Sequence, residues 1–220
     1  AIGTDLLYAA ITKAGGVVSH HRHKNIEWRT VLMLAAGSVP ASILTALVLK
    51  TFFADASEYK ELLTRSLGVM LVLTAAVILL NGRLRRKVDE TAPKPISFMD
   101  RHTDVIIFLA GIFLGVFVTL SSVGAGAFCA ALLMGLYPRM PALRVVGTDI
   151  AHAVPLTLVA GLAHFFWLGN VDWLLLACLL AGSLPAVHWG TKLAGQIPSG
   201  VLQTVIASLL LGLGVKFALF

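Results

Sequence analysis

The chain has 220 residues, of which 58% are hydrophobic and 13% charged, and its formal net charge is +6. A soluble domain carries about a quarter charged residues, so the composition excludes an ordinary water-soluble fold and points to a bundle of membrane helices with the lipid bilayer as partner. The basic excess falls in short loops, where it sets topology, and gives no reason to expect nucleic acid.

In chain order, the first element is an apolar run over 1–19 that carries Asp5 and Lys13. It opens with Gly3-Thr4-Asp5. Thr4 and Asp5 are candidate substrate contacts, and Lys13, eight residues on and near the same helix face, either neutralises Asp5, attracts an anion, or snorkels to the interface. A basic loop follows over 20–27. Its His20-His21-Arg22-His23-Lys24 tract reads as a topology signal before a metal site. A span of about 20 apolar residues crosses a bilayer, and 29–50 is the first clear one. It contains Ser38-Val39-Pro40, a helix kink expected to shape a cavity. An acidic loop over 55–61 leads to a span over 62–82, then to a basic loop over 83–103 with Pro93 and Pro95.

The next span, 104–120, ends in Ser121-Ser122-Val123-Gly124-Ala125-Gly126, after which 11 apolar residues run to Tyr137. That segment is too short for an upright span and suits a re-entrant or broken half-helix, making 104–137 a hairpin. Glycines at such a break expose backbone N–H groups, and a helix N-terminus offers them to an anion. Ser121, Ser122, Gly124 and Gly126 are therefore candidate substrate contacts, against a plainer role in close helix packing. The span 145–168 carries Gly147-Thr148-Asp149, His152 and Pro155. An aspartate in a membrane helix costs roughly 2.5–3.5 kcal/mol on insertion scales and usually faces a cavity or a partner. Thr148 and Asp149 therefore read either as pathway residues or as an N-cap, and His152 shares a face with Asp149, a pair able to relay a proton. The spans 173–191, with Ser183-Leu184-Pro185, and 200–220 close the chain. The two cysteines, Cys129 and Cys178, lie in apolar runs and read as small buried hydrophobes. Trp28, Trp167, Trp173 and Trp189 fall near expected helix ends, where interfacial tryptophan belongs.

A duplication organises these elements. Gly3-Thr4-Asp5 recurs as Gly147-Thr148-Asp149, and Ala36-Gly37-Ser38-Val39-Pro40-Ala41 as Ala181-Gly182-Ser183-Leu184-Pro185-Ala186; over 26–41 against 171–186, seven of sixteen positions are identical. Matched loops carry opposite charge bias, which predicts an inverted-topology repeat, a frequent construction among secondary transporters. The expected organisation is a first repeat over 1–82, a basic cytoplasmic linker over 83–103 and a second repeat over 104–220. The second repeat has a hairpin ahead of its Gly-Thr-Asp helix. The logic of paired repeats predicts a matching hairpin of roughly 40 residues ahead of the first.

The ordered motifs Ser122-Val123-Gly124-Ala125-Gly126, Gly147-Thr148-Asp149 and Ala181-Gly182-Ser183-Leu184-Pro185, with their first-half copies, resemble the TauE/SafE sulfite exporter family, also called the 4-toluene sulfonate uptake permease family. The resemblance covers essentially the whole chain apart from the family's first Gly-rich hairpin. It implies a bacterial inner-membrane carrier for sulfite, sulfonates or related organosulfur anions.

The combined expectation is an all-α integral membrane protein of inverted helical repeats with a Gly-rich broken hairpin, moving a small sulfur-containing anion by alternating access. An anion channel and a carrier of a non-sulfur anion are the alternatives. Neither a His-Glu-x-x-His nor a Gly-x-Ser-x-Gly motif occurs, which argues against an intramembrane enzyme. No cofactor or metal is expected; proton coupling through Asp149–His152 or Asp5 is, and a homo-oligomer stays open.

Overall fold

The computed structural model describes residues 2–52, 56–88, 97–123, 126–137, 140–169, 171–194 and 199–219. The acidic loop's Asp55, the linker's Pro93, Lys94 and Pro95, and Gly124 lie outside them, as does the side chain of Trp189. Among the described residues, eight α-helices run in order: α1 (Ile2–Arg22), α2 (Trp28–Phe52), α3 (Ala56–Val88), α4 (Ser97–Ser121), α5 (Ala127–Leu136), α6 (Ala142–Ala163), α7 (Trp173–Ala194) and α8 (Ser199–Leu219). A π-helical turn, His164–Leu168, extends α6 and ends at Gly169, whose φ of +62° is left-handed. The short α5, of 10 residues, is the expected half-helix after the Ser-Gly break.

The chain is an all-α integral membrane protein. Four helical stretches among the described residues are long and apolar enough to cross a bilayer: Trp28–Phe52, Glu61–Leu79, Thr103–Ser121 and Leu143–Leu168. Large apolar side chains point outward along the bundle, such as Leu32, Leu44, Leu109, Leu174 and Leu209, while Ser38, Ser42, Thr119, Thr148 and His152 are buried. A water-soluble protein does the reverse. In lipid the arrangement is stable because the outward faces need no water and the inner polar groups find partners.

The packing falls into three close helix pairs. α1 packs on α6, α2 on α4, and α3 on α8, with α2 also against α6 and α1 against α7. In the α2–α4 pair the backbones come together. Gly111 lies against the Leu34 backbone and Gly115 against the Ser38 carbonyl, so a side chain at either position would collide with the neighbouring main chain. Small residues spaced four apart are how membrane helices bring backbones together. The core between α1, α2, α4, α5 and α6 is filled by Leu6, Leu34, Ile107, Leu114, Val118, Leu133, Val145 and Leu156.

Several expected boundaries move. α3 begins at Ala56, so residues 56–61 are helical, not loop, and α1 carries on through His20–Arg22. Hydropathy locates the part of a helix in lipid, not where its hydrogen bonding ends. α6 begins at Ala142 with Pro141 at its N-cap, so Thr148 and Asp149 are interior and do not cap this helix. Cys129 is buried as expected, but Cys178 is exposed on α7.

Candidate functional site

Residues from four helices converge inside the bundle. α6 places Asp149 and His152 one turn apart on its inner face, Asp149 with 6% exposure and His152 with none. The His152 Nε2 sits 2.9 Å from the hydroxyl of Ser38, itself fully buried on α2. Lys13 of α1 lies within electrostatic reach of both Asp149 and His152, and the Cys129 thiol of α5 faces the same carboxyl. Two polar atoms of this cluster, Asp149 Oδ1 and His152 Nδ1, are buried without a hydrogen-bond partner. Groups in that condition cost free energy unless something meets them, and in a membrane bundle a buried ionisable cluster marks a pathway.

A second line of polar contacts lies on the same helices. The hydroxyls of Thr119 and Ser42 are 2.7 Å apart, tying α4 to α2. His164, at the π-helical turn, approaches the Thr119 carbonyl at 2.9 Å. A carbonyl only accepts, so the proton of this imidazole sits on Nε2, and its Nδ1 is left as a buried acceptor with no partner. Ser42, Thr119, His164 and Cys129 carried no role in the sequence reading. His164 stands opposite His20 at the offset that relates Gly3-Thr4-Asp5 to Gly147-Thr148-Asp149; the other three have no distinguishing pattern.

The two Gly-Thr-Asp segments use their threonines alike. Thr148 accepts a hydrogen bond at 3.0 Å from the backbone N–H of Glu27, just ahead of α2, and donates to the Arg144 carbonyl. Thr4 accepts one at 2.9 Å from the N–H of Asp172, just ahead of α7. Each threonine therefore caps the start of a helix in the other half of the chain. Glu27 and Asp172 are themselves repeat mates, as are Trp28 and Trp173, which open α2 and α7.

The aspartates differ. Asp5 is exposed and accepts a 2.5 Å hydrogen bond from the Ser122 hydroxyl, in the turn that follows α4. Ser122 adopts a left-handed φ of +61°, and its neighbour Ser121 is buried, donating to the Phe117 carbonyl. After that turn, α5 starts at Gly126 with no side chain capping its free amides. Among the remaining candidates, Ser183 donates to the carbonyl of Leu180 at 3.5 Å, and Pro185 is exposed, as is Pro40. The serine-proline pair of α2 thus contributes Ser38 to the cluster, whereas the matching pair on α7 contributes nothing to it.

One end of the bundle is charged. Arg29 pairs with Asp104 and Arg144 with Glu27, both at 2.7 Å. These contacts place the starts of α2, α4 and α6 on one side, as the charge bias of their loops requires. A cleft of about 440 Å³ opens there, lined by Glu27, Arg29, Thr30, Thr103, Asp104, Tyr137 and Met140. The pairs are largely exposed, so each contributes at most about 1 kcal/mol to stability. No group of three or more metal-ligating side chains occurs among the described residues.

Comparison with known proteins supplies the family. The model of the sulfite exporter TauE/SafE family matches residues 1–217. The probable membrane transporter protein YjnA of Bacillus subtilis is 37% identical over 216 residues, covering 98% of this chain and 84% of the relative. Two further probable membrane transporter proteins of that organism match: YdhB at 28% identity, over 94% of this chain and 79% of the relative, and YunE at 22%, over 90% and 71%. No solved structure matches significantly. The chain belongs to the TauE/SafE family and is a multi-pass membrane transporter.

Proposed function

We propose that this chain is a secondary carrier of a small sulfur-containing anion, sulfite, a sulfonate or a related organosulfur anion, working by alternating access in a bacterial inner membrane. The observation that carries the reading is the buried cluster of Ser38, Asp149 and His152 within reach of Lys13. It is a polar cluster between helices of both halves, at the kind of place where repeat-built carriers bind substrate. Lys13 supplies the attraction for an anion. The uncapped start of α5, beyond the Ser121-Ser122 turn, supplies backbone donors on the substrate's route. The printed names of the relatives support transport, and the family's description supports the sulfur anion.

The two Gly-Thr-Asp helices, each capping a helix of the opposite half, support inverted repeats that rock against one another about the α1–α6 contact. Asp149 and His152 form the coupling element, binding a proton when the anion binds. The test is counterflow in proteoliposomes. Vesicles preloaded with unlabelled sulfite, thiosulfate or a sulfonate are diluted into the labelled anion. A carrier accumulates label transiently and saturates with concentration; a channel equilibrates it without overshoot. Absence of overshoot with every sulfur anion, while a non-sulfur anion gives one, overturns the substrate assignment.

A further inference from the structure

We propose that the buried cluster is built for a dipolar organosulfur ligand, a short aliphatic sulfonate bearing a primary ammonium, with the ammonium at Asp149 and the sulfonate toward Lys13. The inference rests on the carrier reading above and narrows its substrate class.

The first observation is chemical. Asp149 Oδ1 and His152 Nδ1 stand one turn apart on the inner face of α6, both buried and both without a partner. The Cys129 thiol approaches the same carboxyl from α5 and leaves Oδ1 unmet. An ionised carboxylate only accepts hydrogen bonds. A plain sulfonate, or sulfite stripped of its proton, also only accepts, so it brings nothing that Oδ1 can take. Two kinds of group meet that atom: a proton, as in the coupling step above, or a donor carried by the ligand itself. A primary ammonium has three N–H donors and a positive charge. It answers Oδ1, and it answers His152 Nδ1 when the imidazole proton sits on Nε2, beside the Ser38 hydroxyl at 2.9 Å.

The second observation is spatial. α1 and α6 pack antiparallel: a side chain at Gly16 would meet Ile150, and one at Gly161 would meet Leu7. In that register Lys13 is level with Val154, between one and two turns past Asp149 on the facing helix. The positive group of the cluster thus stands apart from the negative one along the bundle axis. Both lie in a membrane bundle, where an uncompensated charge is expensive. A ligand with a cation at one end and an anion at the other satisfies both and adds no net charge. A simple anion satisfies Lys13 and is repelled by Asp149.

The experiment compares 2-aminoethanesulfonate with ethanesulfonate, which differ by the amine alone, in counterflow through the full-length protein in proteoliposomes. The amino compound is expected to half-saturate at a concentration lower by about tenfold or more, the worth of hydrogen bonds to a charged group. Asp149→Asn is expected to erase that advantage, and Lys13→Gln to weaken both compounds. Half-saturation of ethanesulfonate at an equal or lower concentration, an advantage retained in Asp149→Asn, or a Lys13→Gln protein that handles both as the parent does, each overturns the dipolar ligand, while sulfite counterflow leaves the carrier reading standing. Absence of counterflow with every sulfur compound overturns both. A reading that needs no variant comes from the parent protein in detergent, because a ligand that binds the native state raises the thermal midpoint. The amino compound is expected to raise it at concentrations where ethanesulfonate does not, and equal shifts overturn the proposal.

Discussion

Removing the Thr148 hydroxyl isolates one contact between the halves. Valine keeps the shape of threonine, so Thr148→Val leaves packing intact and deletes the acceptor for the Glu27 N–H, held at 3.0 Å. That N–H precedes the first residue of α2 and is one of the amides a helix cannot satisfy internally. Thr148 is fully buried, and Glu27 is held in place by Arg144 at 2.7 Å, so the amide keeps its position against the new methyl group. With Glu27 half-buried, the unmet donor costs about 1–2 kcal/mol, the lower part of the range for a buried group. Thr4→Val deletes the equivalent bond to Asp172, but Asp172 is exposed and water replaces part of the loss. The smaller variant should therefore lose about 1 kcal/mol or less, near the net worth of a typical hydrogen bond. Unfolding in mixed micelles, titrated with a denaturing detergent and read by circular dichroism, measures both. Thr148→Ser keeps the hydroxyl and should recover most of the loss. A Thr148→Val protein within about 0.3 kcal/mol of the parent, less than the usual scatter of additive effects, or a Thr4→Val protein that loses more than Thr148→Val, would refute the capping argument.

The Ser38–His152 contact should give a coupling of about 0.6 kcal/mol, reaching about 1.7 at most, in a double-mutant cycle of Ser38→Ala and His152→Phe; zero coupling means that the two groups do not bond. Asp149→Asn keeps the size and loses the charge, so labelled-anion flux should persist while its dependence on an imposed proton gradient disappears. Retained gradient dependence removes Asp149 from the coupling step. Gly111→Leu drives a side chain into the Leu34 backbone and should destabilise by about 1–3 kcal/mol or more. Gly135→Leu, in open space, serves as its control in the same unfolding assay.

The membrane spans, the half-helix at 127–136 and the two Gly-Thr-Asp helices were legible because each rests on a local property: an apolar run, a glycine break, a repeated tripeptide. The cap reading of Thr148-Asp149 failed because cap residues look the same wherever they stand. Pro141, which opens α6, was the better start signal, since proline is at ease where a helix has no amide to pair. Ser38-Val39-Pro40 and Ser183-Leu184-Pro185 read alike in the sequence, as kinks that shape a cavity, yet Ser38 bonds His152 in the buried cluster while Ser183 turns to the Leu180 carbonyl of its own helix. Ser42 and Thr119 were not legible at all. A hydroxyl in a helix can satisfy itself on the carbonyl four residues back, as Thr119 does with Gly115, so its presence in a span announces no partner. Cys178 was misplaced for a related reason. Lipid and protein interior are equally apolar, and composition alone does not tell which of them a side chain faces.

The charges in the buried cluster bear on how an anion carrier tolerates an aspartate at its centre. Two like charges about 4 Å apart repel by about 4 kcal/mol at the effective dielectric of a protein site, and an opposite charge at that distance attracts by as much. With Asp149 ionised, its repulsion and the attraction of Lys13 nearly cancel for an anion bound between them, and the pocket has little net affinity. With Asp149 protonated, its repulsion of the anion is gone while the attraction of Lys13 remains. A difference of about 4 kcal/mol is close to a thousandfold in binding. Under the proposed function, the proton and the anion therefore bind as a neutral pair, and the same aspartate that weakens the empty site makes occupancy depend on the proton.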